Sequence, residues 1–140
     1  MADRDILRNQ TVGEDGDALV DALAEHPTSA PLLLRSLFEG HPPAAAGTVL
    51  WETPDSVLQE LIDHFQNLVR EGIECGVFRR VSVPDATQTI IGAAVFHFAS
   101  GDFGQERFGG ASLFSAEAVA RRRREQREFF QRALIAEPAP

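Results

Sequence analysis

Residues 68–96, LVREGIECGVFRRVSVPDATQTIIGAAVF, decide the fold. They read as the end of one helix, a glycine stop, a short link and the start of a second helix. Upstream, the helix over 55–75 carries apolar residues at 57, 58, 61, 62, 65, 68, 69 and 73, a stripe of period 3.6. Thr53 can accept first-turn N–H groups, Pro54 suits the first helical position, and Asp55 favours the positive end of the dipole. This helix is about 30 Å long at 1.5 Å per residue. Gly76 stops it, with Val77 placed for the contact that accompanies a glycine cap. Ser82 and Asp85 then have capping-box spacing, with Asp where Glu or Gln is usual. The helix they open runs to about Ser100 and is apolar on nearly every face from Ile90 to Ala99. Such a helix must be covered all round, and in a small domain a second subunit is one source of that cover.

Working outward, Ala18, Leu19, Ala22 and Leu23 share one helical face, with Asp15 or Asp17 placed to cap the first turn. His26-Pro27 interrupts this helix, because a residue before proline is pushed out of the helical region. Thr28 or Ser29 opens a second helix bearing Leu33, Leu34, Leu37 and Phe38, and Gly40 sits where a left-handed cap belongs. Residues 44–51 are expected to form a short helix of their own. Residues 101–114, with four glycines and three phenylalanines, read as a loop packed by its aromatics. Ser115 caps a last helix that runs to about Ile135. Strand signals are confined to Val77–Val83. The expected fold is all-α, a bundle of five to six helices, with a flexible lead-in over 1–16, a domain over 17–135 and a disordered tail over 136–140.

The 140 residues carry a net charge of −8, from 21 acids against 13 basic residues. An acidic chain repels phosphate, so no DNA binding by this chain alone is expected. The longest apolar run, Ile90–Phe96, is far short of the about 20 residues a membrane helix needs. The start lacks the basic and apolar regions of a signal peptide. One cysteine, Cys75, excludes an internal disulfide framework and a four-cysteine metal site. The default is a soluble, cytoplasmic, single-domain protein.

The order of pieces resembles the carboxy-terminal regulatory domain of TetR-family transcriptional repressors. There a long helix ends in glycines followed by Phe-Arg, and an aspartate-proline-alanine start opens an apolar helix. Here the stop is Gly72, Gly76, Phe78 and Arg79, and the restart is Pro84-Asp85-Ala86, with proline and aspartate in the reverse order. EHPTSAPLLLRSLFEG, residues 25–40, is similar to the family's earlier His-Pro and leucine-rich segment. The family's helix-turn-helix head is expected to be absent, since only 16 residues precede Asp17. The resemblance implies a homodimer in which the last two helices, about 84–99 and 115–135, form a four-helix bundle with a partner's copies. Ile91, Val95, Phe98, Phe129, Phe130 and Leu134 are the candidate interface residues. It also implies a pocket for a small apolar or aromatic effector among the helices starting at 28, 55 and 84. Phe38, Trp51, Leu61, His64, Phe65, Leu68, Phe96 and His97 are the candidate ligand-binding residues.

Each candidate also has a plainer reading. His64, one turn from Leu61 and Leu68, reads as a boundary histidine or as a ligand contact. His97, beside Ala93 and Ala94, reads as a satisfied core imidazole or as a polar anchor in an apolar pocket. The aromatics read as core or as cavity lining. Arg121–Arg124 reads as a solvated face laced by pairs four residues apart: Glu117–Arg121, Arg121–Glu125, Arg124–Glu128 and Glu128–Arg132. No cofactor and no metal is expected: no Glu-x-x-His pair occurs, and there is no lysine to complete a phosphate loop. The leading function is an effector-binding and homodimerisation domain that is not an enzyme. The alternatives are a helical dimerisation module without a pocket, and a small helical enzyme using His64 or His97.

Overall fold

The computed structural model describes residues 13–38, 54–108 and 112–136. Its helices are α1 (Asp15–Glu25), α2 (Ser29–Phe38), α3 (Pro54–Glu74), α4 (Val83–Ala99), α5 (Gly101–Phe108) and α6 (Ala116–Leu134). No strand occurs among the described residues; Phe78 and Ile135 form one isolated antiparallel bridge. The fold is all-α, as expected. Thr53, Trp51 and the helix expected over 44–51 lie outside the described residues.

The α3–α4 hairpin is built as its sequence dictates. Gly76 takes φ 74°, a left-handed conformation that costs a residue without Cβ little. The N–H groups of Val77 and Phe78 both donate to the Gly72 carbonyl, at 2.9 and 3.0 Å. Phe78 thereby folds back on α3, and its ring lies over Gly72, where a Cβ would collide with it. At the restart Ser82 Oγ accepts from the Asp85 N–H at 3.4 Å, with Pro84 in the first turn. The segment after α6 closes against this link: Arg79 N–H donates to Leu134 O at 2.9 Å, and Ala136 N–H to Val77 O at 2.9 Å. Arg79 Nε adds a bond to Ala133 O at 2.6 Å.

Helix α4 packs against α1, α2 and α3, while α6 packs on α1. Leu19, Val20, Leu23, Phe65, Val69, Ile90, Ala94, Val95, Phe98 and Phe130 are among the residues of the buried core. Fully burying a large apolar side chain contributes about 1.5–3 kcal/mol, so this cluster is the main stabilising term.

Three local expectations differ from the fold. Residues 101–108 form helix α5 rather than a loop. Gly101, at φ 52°, breaks the chain away from α4, and Asp102, Gln105, Glu106 and Arg107 are compatible with a new helix. Helix α1 begins at Asp15 itself, with no side-chain cap, because both aspartates have tertiary partners: Asp15 faces His64, and Asp17 pairs with Arg127. The arginine-rich helix is likewise not a purely solvated face. Of the four expected pairs only Glu128–Arg132 is present among the described residues, at 3.0 Å. Arg123 reaches Asp21 on α1 at 2.7 Å and Arg127 reaches Asp17, so α6 is clamped to α1. Within its own chain α4 leaves Thr89, Gly92 and Phe96 exposed, Phe96 by 58%.

Candidate functional site

Three helices leave a groove of about 440 Å³ between them. Helix α2 contributes Leu33 and Leu34, and α3 contributes Leu58, Ile62 and Gln66. Helix α4 contributes Pro84, Thr87, Gln88, Ile91, Gly92 and Val95. Each set follows helical spacing, so the groove is a meeting of stripes rather than a loop-built site. On α3 the stripe at 58, 62 and 66 runs beside the one at 61, 65 and 68 that enters the core. Among the described residues, none that lines the groove carries a charge. The polar groups are the amides of Gln66 and Gln88 and the hydroxyl of Thr87. Thr87 is 1% exposed, and its Oγ1 has no hydrogen-bond partner among the described residues. A volume of a few hundred Å³ with apolar walls and few polar groups is the usual character of a small-molecule site.

The α3–α4 hairpin orients this groove. A short link joins the two helices, so they run antiparallel, and Gln66 lies toward the same end as Pro84, Thr87 and Gln88. Leu58, Ile62, Ile91 and Val95 occupy the middle and the opposite end. The groove is thus polar at one end and apolar along the rest.

Of the eight expected ligand residues, the six whose side chains are described do not line this groove. Phe65 and Leu68 are buried in the core, at 1% and 5% exposure, and Leu61 is half-buried against it. His64 is exposed, with Nε2 3.3 Å from Asp15 Oδ2 and its ring edge-on to Phe65. Phe96 points outward, Trp51 lies outside the described residues, and so does the side chain of Phe38. His97 is half-buried with its ring edge-on to Phe98. Burial, helped by Arg122 and Arg121, lowers its pKa from 6.5 to about 4, so it is neutral near pH 7.

The expected interface residues divide in a similar way. Ile91 and Val95 are buried and line the groove of their own chain. Phe98, Phe130 and Leu134 are core residues, at 1%, 8% and 4% exposure. Phe129 alone of the six is strongly exposed, at 68%. It borders a shallow depression between α4 and α6 together with Thr89, Ala93 and Arg122. Arg122 spans that seam, with Nη2 donating to Ala93 O at 3.1 Å and Nε to Gln126 Oε1 at 2.9 Å. Phe96, one turn beyond Ala93 along α4, is exposed as well. A signal for the groove did exist in the sequence: Thr87, Ile91 and Val95 recur every fourth residue, with Gly92 beside them.

Among the described residues, no group of three His, Cys, Asp or Glu side chains is placed to hold a metal. No described helix is long and apolar enough to cross a membrane. No curated protein and no solved structure matches the chain. A family model described as "Tetracyclin repressor-like, C-terminal domain" matches residues 17–129, from within α1 to within α6. With most of its length covered by that match, the chain belongs to the TetR-like C-terminal domain family.

Proposed function

We propose that this domain is the effector-binding and dimerisation part of a TetR-like regulator and has no catalytic role. The apolar groove between α2, α3 and α4 carries the reading, because about 440 Å³ of uncharged, concave surface suits a small apolar molecule. Pairing through α4 and α6 is supported by Phe96 on α4 and Phe129 on α6, which are 58% and 68% exposed. In a regulator carrying DNA-binding heads, a ligand in this groove would shift the relative placement of α3 and α4. It would thereby favour one arrangement of the two subunits over the other.

A thermal-shift screen of neutral aromatic and aliphatic compounds tests the ligand part. A ligand that binds only the folded state raises Tm in proportion to the logarithm of its concentration above Kd. Gly92→Phe fills the groove mouth, since a Cβ there meets nothing within 4 Å, and should abolish the shift. Sedimentation tests the dimer: the native chain should run at twice 15.3 kDa and Phe129→Arg at 15.3 kDa with unchanged helicity. A monomeric native chain, or a screen with no stabiliser, would remove the corresponding half of the proposal.

A further inference from the structure

We infer that the groove selects a neutral molecule with an apolar body and an acceptor oxygen at one end, seated against Gln66, Thr87 and Gln88. This rests on the reading of the groove as an effector site and goes beyond it by fixing the chemistry of the ligand. Two observations carry it. Among the described residues no Arg, His, Asp or Glu lines the groove, so an ionised group would lose its hydration without gaining a counter-charge from them. Gln66, Thr87 and Gln88 lie nearer the α3–α4 link than Leu58, Ile62 and Val95, the apolar lining farthest from it.

The three polar side chains suit an oxygen acceptor. Each glutamine amide offers N–H donors, and the Thr87 hydroxyl is a donor with no partner among the described residues. Its Oγ1 is covered by the protein, and threonine on a helix has two accessible χ1 rotamers. In the proposed complex, rotation about χ1 turns the hydroxyl toward the groove, so a ligand ketone, ester or hydroxyl satisfies a donor left unpaired among the described residues. An unpaired buried hydroxyl is costly, which makes this exchange favourable.

The test uses three ten-carbon probes on the full chain: butylbenzene, butyrophenone and 4-phenylbutanoate, titrated calorimetrically at pH 7.4. The ketone should bind about fivefold tighter than the hydrocarbon, the effect of one net hydrogen bond. The carboxylate should bind at least tenfold weaker than the ketone. Thr87→Val and Gln66→Leu keep side-chain shape and remove the polar atoms. Together they should lower the ketone-to-hydrocarbon ratio toward one, and an unchanged circular-dichroism spectrum shows that the variant is folded. An unchanged ratio in the double variant, or a carboxylate preferred to the ketone, overturns the inference and leaves the effector site standing. Absence of binding by all three probes overturns both.

Discussion

Gly72→Ala should lower the stability of this domain by about 2–3 kcal/mol, although helix propensity alone predicts a gain of about 1 kcal/mol. Gly72 lies within α3, where alanine is the better helix former. Its missing Cβ, however, is the floor on which the Phe78 ring rests. A Cβ built there comes within 2.8 Å of Phe78 Cγ and nearer still to Cδ2 and Cε2, against 3.4 Å for ordinary contact. The ring cannot yield cheaply, because Phe78 is 2% exposed and its N–H is bonded to the Gly72 carbonyl. Overpacking of this kind costs about 1–3 kcal/mol, and full expulsion of a phenylalanine about 3–5 kcal/mol. After the helix-propensity gain is subtracted, a domain of this size should lose roughly 6–12 °C in Tm. Thermal unfolding followed by circular dichroism measures it directly. Repeating the substitution in a Phe78→Leu background should reduce the loss, since the two side chains interact. A Gly72→Ala protein that melts at or above the native temperature would refute the packing argument.

Gly92→Ala should have the opposite sign, gaining about 0.5–1 kcal/mol, because Gly92 is an exposed α4 residue whose added Cβ meets nothing within 4 Å; a Tm below native would contradict this. His97 makes the domain acid-sensitive. Below pH 6.5 the unfolded chain takes up a proton that the folded chain, with a His97 pKa of about 4, refuses. Stability is therefore full above about pH 6.5 and falls as the pH drops toward 4. His97→Asn should flatten the slope of Tm between pH 7 and 5.5, and an equal slope in both proteins would rule His97 out as its source. Arg123→Ala should cost only about 0.2–1 kcal/mol in urea denaturation, since both partners of its pair with Asp21 are more than a third exposed.

What could be read from residues alone were the local decisions. Period 3.6 along α3, Pro54 at its start, the Gly76 stop, and the Ser82 and Ser115 caps act within a few residues of themselves. Their outcomes, a glycine at φ 74° and two serine oxygens accepting first-turn N–H groups, depend on nothing distant. The family resemblance rested on the same features, and the match over residues 17–129 follows it closely. Long-range choices were different. The apolar arc of α3 is wide enough to offer two neighbouring stripes, one through Leu61, Phe65 and Leu68 and one through Leu58, Ile62 and Gln66. Only the seating of α2 against α3 and α4 sent the first into the core and left the second along the groove. On α4, apolar character on nearly every face concealed which side meets its own chain. Ile91 and Val95 went inward while Phe96 stayed exposed. Arginines spaced to pair along α6 found aspartates on α1 instead, because a charge-assisted contact between packed helices competes with one along an exposed helix. Hydrophobic periodicity specifies that a face is buried; the partner that buries it is set by the packing of the other helices.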